Sequence, residues 1–311
     1  MSEIMAAENL LCDELRAALP GAIVRAGEPL AKRTTLRAGG CADVYVEPSS
    51  ESDLARVVRI CRERGAPMMV LGRGSNLLIR DGGIRGVVVC LAHASFCGIE
   101  VLGRQLRCGA GAKLKEVSAR AREADLTGLE FLEGIPGSVG GALRMNAGAM
   151  GGATFGVVRQ VRFMDDLGQI HEMSGSGMRP GYRCCPLLQT CIALGATFQG
   201  KTAPREIIAA RSREFSERRW RSQPKEPSAG CIFKNPSPAL SAGQLIDQAG
   251  LKGARVGGAS VSAVHANFII NDGTASARDV LDLIELIRCR VQAARGIDLQ
   301  TEVEIVGEDT P

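Results

Sequence analysis

Two stretches of this 311-residue chain set residue types at spacings that suit chemistry performed by the backbone. Residues 130–152, EFLEGIPGSVGGALRMNAGAMGG, carry Gly134, Gly137, Gly140, Gly141, Gly148, Gly151 and Gly152. Absent Cβ atoms let a large planar or phosphorylated ligand approach the main chain, and Pro136 stiffens the turn. Ser138 is placed to cap a short helix over 139–145, whose free N–H groups would face an anion such as a pyrophosphate. The second stretch, Gly72-Arg73-Gly74-Ser75-Asn76, follows an apolar run at 67–71 that reads as a buried strand. A Rossmann fingerprint needs a third glycine and then a helix. Here Leu77-Leu78-Ile79 and the turn Asp81-Gly82-Gly83 follow instead, which leaves a nest of N–H groups at a strand end. Glycine richness alone fits a ligand-free loop equally well.

The elements that position these stretches follow from periodicity. A strand over 43–47, a helix over 50–64 with Leu54, Val57, Val58 and Cys61 inward and Gly65 as its stop, and a strand over 68–71 make one α/β unit. A hairpin around Gly103-Arg104, a helix over 113–124 and strands over 157–164, 169–172 and 187–198 make a second, α+β unit. Neither holds a complete nucleotide fingerprint, so a ligand gripped by both glycine stretches would sit between them. A third unit follows a linker at 201–204, with a strongly basic helix over 204–221, a short helix over 245–249, a strand over 266–271, a long helix over 276–294 and a last strand over 302–306. The expected domains are therefore 1–91, 92–200 and 201–311.

Composition narrows the partners. Lys and Arg exceed Asp and Glu by 38 to 34, and aromatic residues make up 4%, which argues against a nucleic-acid surface. The 11 cysteines contain no C-x-x-C pair, and Cys61, Cys90 and Cys289 read as small hydrophobes on apolar faces. An odd count without a signal peptide points to a reducing cytoplasm. His93, His171 and His265 lie too far apart for a metal site. The first residues read as an amphipathic helix bearing Glu3, Glu8, Asp13 and Glu14, too acidic for a transit peptide, and no apolar run reaches membrane-spanning length.

Taken together, LGRGSNLL at 71–78 and GLEFLEGIPGSVGGALRMNAGAMGG at 128–152 resemble the flavin-binding segments of the UDP-N-acetylenolpyruvoylglucosamine reductase family. TTLRAGGCADVYVEP at 34–48, GYR at 181–183, PSAGCIFKNP at 227–236, AGQLIDQAGLKGARVGGASVSAVHANFIIN at 242–271 and TEVEIVG at 301–307 add to the resemblance, in order along the chain. It implies an α+β flavoprotein with a two-part FAD-binding domain of the PCMH, vanillyl-alcohol-oxidase-like kind and a C-terminal α+β substrate domain. It also implies non-covalent FAD, NADPH as co-substrate, a UDP-sugar substrate and a monomer. The short run from His265 to Ser276 and the few tyrosines suggest the family's class without an inserted tyrosine-bearing loop.

Reducing an enolpyruvyl group requires hydride at the methylene carbon, a proton at the carbon bearing the carboxylate, and a fixed cation for the charge that builds there. By resemblance the cation is Arg183, the acid Cys231 and the supporting carboxyl Glu302. Cysteine stands at 231 where most of the family has serine; a thiol is the stronger acid of the two, at the cost of sensitivity to oxidation. Period two puts Glu302 and Glu304 on one strand face, so pattern alone does not choose between them. The cofactor would be held by Gly72, Arg73, Gly74, Ser75, Asn76, Gly134, Ile135, Pro136, Gly137, Ser138, Gly140, Gly141, Asn146, Ala147 and Gly148. Tyr182, Arg219, Lys234, Asn235, Gln244 and Asn267 would contact substrate. His265 reads as structural, and the arginine run on the helix over 204–221 as a solvated face in which Arg218 or Arg219 steers anions.

Two other readings remain. An alcohol or phenol oxidase on the same FAD fold often attaches its flavin to a histidine, for which His93 is the nearby candidate. A nucleotide-binding regulator would keep the glycine cradle and have lost the chemistry.

Overall fold

The computed structural model describes residues 2–310. They group into two compact units, the first being Met1–Ala26, Val44–Arg73 and Gly86–Arg219 and the second Gly27–Asp43, Gly74–Arg85 and Trp220–Pro311. The chain thus passes from one to the other between Arg73 and Gly74, inside the shorter glycine stretch, 72–76.

In the first unit, the helix Glu51–Arg64 starts at Ser50, whose hydroxyl accepts from the Asp53 N–H, and stops at Gly65 with φ 60°. Leu54, Val57, Val58 and Cys61 face inward as their spacing requires. They pack with Val44, Val46, Val87 and Val89 from the strands on which this helix lies. Met68–Leu71 pairs in parallel with Ile84–Cys90, Leu71 opposite Cys90, and so delivers Gly72 at a strand end. A second core fills one face of a five-stranded sheet made of Ile170–Ser174, Val158–Met164, Ile192–Gln199, Gln105–Gly109 and Ile99–Leu102 in spatial order. The helix Leu114–Glu123 contributes Leu114, Val117 and Ala121 to that core. The strand expected over 187–198 is shorter, because Pro186–Gln189 forms a 3-10 turn with proline at its start.

The second unit has its own core, built from the four-stranded antiparallel sheet Ser228–Cys231, Phe268–Asn271, Ala259–Val261, Arg255–Val256 and the helix Ala277–Arg295. Val280, Leu283, Ile284, Ile287 and Val291 are the buried face of that helix. Its first turn is closed by a capping box between Ser276 and Asp279. The carboxylate of Asp81 then accepts from the N–H groups of Ala277 at 2.8 Å and Arg278 at 2.9 Å. The Asp81-Gly82-Gly83 turn therefore caps a helix nearly two hundred residues away in sequence. Leu77–Ile79 pairs in parallel with Glu304–Val306. Among the described residues no helix is long and apolar enough to cross a membrane.

The thiols are all free, with Cys61 and Cys90 buried. Cys289 departs from expectation: it is exposed on the outer side of the helix Ala277–Arg295 and donates to Glu285 Oε1.

Candidate active site

In the first unit the two glycine stretches meet. A Cβ added at Gly72 would come within 3.1 Å of the Ser138 hydroxyl, so the two stretches lie side by side with little between them. Ser138 precedes the short helix Val139–Arg144 in extended conformation, but its side chain makes no cap bond. The expected free amides are not all free. Val139 N–H donates to the Ala112 carbonyl at 2.9 Å and Gly140 N–H to the Ala110 carbonyl at 2.8 Å, which ties the helix start to the loop before Leu114–Glu123. Gly140 is a packing glycine, since a Cβ there would press on Ala110 at 3.1 Å. Bare backbone open to a ligand remains at Gly134 and Gly141, where an added Cβ would find its nearest neighbours at 3.9 and 3.7 Å.

The far end of the cradle carries Arg183. Its backbone is left-handed at φ 54°, in the tight turn closed by the Gly181 N–H to Cys184 carbonyl bond of 2.8 Å. Asn146, itself at φ 41°, holds this turn: its Nδ2 donates to the Gly181 carbonyl at 2.9 Å while its Oδ1 accepts from Phe155 N–H at 3.2 Å. The Arg183 guanidinium donates to the Gly148 carbonyl at 3.4 Å and lies 5.3 Å from the exposed Tyr182 ring. Arg183 is half-buried against the cradle, unlike an ordinary loop arginine. Arg73 is exposed beside Gly72.

The basic helix Arg205–Ser222 is less of a solvated face than its composition suggests. Arg205 bonds Asp125 at 3.1 Å, and Arg211 approaches Glu130 at 3.9 Å. Arg219 donates to the Gly134 carbonyl at 2.6 Å, and burial lowers its pKa. Arg218 stays exposed. One groove of about 710 Å³ on the outer face of the five-stranded sheet, bordered by Glu51, Arg107 and Arg162, is lined by none of the candidate residues.

In the second unit three segments converge on Cys231. Glu302 N–H donates to the Ile232 carbonyl at 2.7 Å and Lys234 N–H to the Gln300 carbonyl at 2.9 Å, so the segment 300–302 runs alongside 231–234. Glu302 precedes the strand Glu304–Val306 and does not belong to it. The two glutamates therefore do not share a strand face, because the chain bends at Val303. Asn76 bonds that segment from the other side. Thr35 ties the nest to the Cys231 strand: its hydroxyl donates to the Ser228 carbonyl at 2.7 Å and its N–H to the Gly74 carbonyl at 3.1 Å. Gly230 runs at φ 77° with its Cβ position 3.8 Å from the Ser75 carbonyl.

Of the expected substrate contacts here, Lys234 is half-buried, and Asn235 and Gln244 are exposed. Asn235 Oδ1 accepts from Ala242 N–H at 3.1 Å. Asn267 is 3% exposed and its amide is spent on the main chain of Phe233. His265 is structural as read: its Nδ1 accepts from Asn267 N–H at 3.2 Å, its ring meets Phe268 edge-on, and burial lowers its pKa. His93 Nδ1 is engaged with Ser95 in a local cap. Among the described residues no cluster of His, Cys, Asp or Glu is arranged for a metal.

Residues 42–174 match the FAD binding domain model, and residues 223–306 match the model for the UDP-N-acetylenolpyruvoylglucosamine reductase C-terminal domain. Over 283 residues, 90% of each chain, the sequence is 47% identical to the UDP-N-acetylenolpyruvoylglucosamine reductase of Heliobacterium modesticaldum. The chain belongs to the UDP-N-acetylenolpyruvoylglucosamine reductase family. The Geobacter metallireducens reductase is 45% identical over 296 residues, 95% of this chain and 97% of the relative. The crystal structure of the reductase (MurB) from Thermus caldophilus superposes with a TM-score of 0.80 at 39% identity, covering 91% of this chain and 99% of that one. The fold is accordingly that of the reductase family, an FAD-binding domain followed by the family's C-terminal domain, α+β throughout.

Sequence reasoning missed Thr35, Glu130 and the clamping role of Asn267. Thr35 stands in the TTLRAGG stretch that carried the resemblance, which was a signal of place without a signal of role. Glu130 opens the glycine-rich stretch and is 3% exposed, a buried carboxylate that no pattern of neighbours announces.

Proposed function

We propose that this reductase converts UDP-N-acetylglucosamine enolpyruvate to UDP-N-acetylmuramate with NADPH as electron donor, in peptidoglycan precursor synthesis in the cytoplasm, as a monomer of the class without the tyrosine-bearing insertion. The observation that carries the reading is the main-chain ladder that sets Glu302 beside the Cys231 segment, through Glu302 N–H to the Ile232 carbonyl at 2.7 Å. FAD fits the cradle by the same residues that leave it bare: Gly72 facing Ser138, and the open main chain at Gly134 and Gly141. Held there without a covalent link, FAD would supply the redox chemistry, hydride from NADPH for the methylene carbon of the enolpyruvyl group.

The chain's own residues do the rest. Residues 1–91 and 92–200 hold the cofactor through Gly72, Arg73, Gly74, Ser75, Gly134, Ile135, Pro136, Gly137, Ser138, Gly141, Ala147 and Gly148, with Gly140 and Asn146 shaping the loop. Arg183 pairs its planar fork with the substrate carboxylate and stabilises the charge that builds there. Cys231 gives its Sγ proton to the carbon bearing that carboxylate, and the thiolate left behind regains a proton from solvent. Glu302 supports that transfer. Residues 201–311 take the sugar nucleotide through Lys234, Asn235 and Gln244, joined by Tyr182 and Arg219, while Asn267 acts through Phe233.

Anaerobic NADPH oxidation tests the proposal. Consumption should stop at one equivalent per enolpyruvate added, and Cys231→Ala should keep NADPH-driven flavin bleaching while losing that substrate-dependent turnover. A Cys231→Ala enzyme turning over at the parental rate removes the acid assigned here. Reduction of one flavin equivalent that enolpyruvate cannot reverse removes the substrate.

A further inference from the structure

By sequence Asn76 belongs to the phosphate nest, yet its side chain addresses the main chain of Glu302. Asn76 Nδ2 donates to the Glu302 carbonyl at 3.0 Å, and the Asn76 carbonyl accepts from Glu304 N–H at 3.0 Å. The parallel pairing of Leu77–Ile79 with Glu304–Val306 begins at the next residue, Leu77 opposite Glu304. On its other side the same segment is stitched to the Cys231 strand by Glu302 N–H to Ile232 and Lys234 N–H to Gln300. Residue 302 therefore sits outside any strand, held between two neighbours. The Cys231 side fixes it through Glu302's own N–H, and Asn76 fixes it through Glu302's carbonyl.

We propose that Asn76 is a positioning residue for Glu302, setting the orientation of the peptide from which that carboxyl projects. The inference rests on the role given to Glu302 above. It is specific in chemistry: the position needs a donor of asparagine's length, because the partner is a carbonyl oxygen. Aspartate is isosteric but turns an acceptor toward that oxygen, which removes the bond and adds repulsion.

The test uses FAD-loaded Asn76→Ala, Asn76→Asp, Glu302→Ala and the Asn76→Ala/Glu302→Ala double variant, with melting curves and FAD content measured on each. Expected for both Asn76 variants are parental FAD content, NADPH bleaching of the flavin within about twofold, and reoxidation by enolpyruvate slowed about 10- to 100-fold, the scale of a small misplacement of a reacting group. The pH profile of reoxidation should shift with it. The double variant should be no slower than Glu302→Ala alone, since the Asn76 amide affects reoxidation through that residue. Loss of FAD from Asn76→Asp overturns the proposal in favour of a direct cofactor contact, as does parental reoxidation in either Asn76 variant. An additive double variant also overturns it. If Glu302→Ala itself reoxidises at the parental rate, the role of Glu302 fails first, and the proposal falls with it for that separate reason. Should Asn76→Ala fail to fold, Asn76→Asp, which keeps the volume, decides.

Discussion

Asn267 holds Phe233 by both ends of its side-chain amide: Oδ1 accepts from the Phe233 N–H at 2.9 Å and Nδ2 donates to the Phe233 carbonyl at 2.8 Å. Phe233 lies two residues beyond Cys231, so the amide fixes the end of the segment that carries the proposed acid. Both bonds are buried, and leaving such groups unpaired costs roughly 1–3 kcal/mol each. Asn267→Ala should therefore lower the stability of the protein by about 2–4 kcal/mol. Asn267→Asp should do nearly as much harm, because it cannot donate to the carbonyl. Denaturant melts of the two variants check this, and a near-parental midpoint for Asn267→Ala would show that the clamp is dispensable.

Gly74 and Gly65 separate two costs of adding a methyl group. Both have positive φ, 58° and 60°. At Gly65 a Cβ meets nothing within 4 Å, so Gly65→Ala should cost about 1–2 kcal/mol, the backbone penalty alone. At Gly74 the Cβ would lie 2.6 Å from the Arg33 carbonyl oxygen and 2.7 Å from Thr34 Cα, main-chain atoms that cannot turn aside. Gly74→Ala should be the more damaging by at least about 1 kcal/mol. Equal melting losses would contradict the packing argument.

These contrasts show what could and could not be read from the chain. The helix Glu51–Arg64 was legible to its ends because Ser50, the apolar spacing and Gly65 are local signals that agree. The helix Ala277–Arg295 was legible for the same reason, but its distant cap, Asp81, was not, since the bond joins residues 196 apart. The glycine cradle was visible as composition. Which of its glycines serve packing, as Gly140 does against Ala110, depends on a neighbour thirty residues away in sequence. Glu302 was misread as a strand residue because alternation carries no sign of the bend at Val303. Asn146 and Asn267 looked like ligand contacts because asparagine in a motif suggests recognition, whereas each spends its amide on the main chain.

The cysteines should sort by burial. Desolvation pushes the Cys61 thiol up to about 11 and the Cys108 thiol up to about 12, and both are buried. The thiolate is the species that alkylates. Iodoacetamide at neutral pH should therefore mark exposed Cys41 well before Cys61 and Cys108, with exposed Cys289 slower than Cys41 because Glu285 raises its pKa. Peptide mass spectrometry over time gives the order, and early labelling of Cys108 would mean that its core opens readily.

His265 ties stability to pH. Burial is the main cause that lowers its pKa from 6.5 in the fold, with the Lys252 charge adding to it. The unfolded chain then binds the proton more readily than the native one, so stability falls as pH drops below about 6.5 and stops falling once pH passes under the folded pKa. From about a pH unit above 6.5 the ring is neutral in both states and contributes no slope. His265→Gln should flatten this part of the profile relative to the parent. Parallel profiles for the two proteins between pH 7 and 5 would exclude His265 as the cause.

The helix Arg205–Ser222 grips the turn that opens the glycine cradle at both ends. At one end Glu130 accepts from the Thr127 hydroxyl at 2.5 Å and the Gly128 N–H at 2.7 Å, with Arg211 at 3.9 Å; at the other, Arg219 holds the Gly134 carbonyl at 2.6 Å. Arg211 and Arg219 are eight residues apart and so share a helix face. The two ends should fail differently. Glu130→Ala removes a buried acceptor from the Thr127 hydroxyl and the Gly128 N–H, both of which water can still reach, so it should lower stability by about 1–2 kcal/mol. Arg219→Met keeps much of the apolar stem while releasing the Gly134 carbonyl, whose main chain is open to a ligand. Its effect should appear as weaker FAD binding, about a tenfold rise in Kd, equal to about 1.4 kcal/mol, with a smaller loss of stability. Titration of the apo-protein with FAD, followed by flavin fluorescence, measures the first quantity and a melt the second. An Arg219→Met protein that binds FAD as the parent does would show that the Gly134 contact does not serve the cofactor, leaving Arg219 only its proposed contact with the sugar nucleotide.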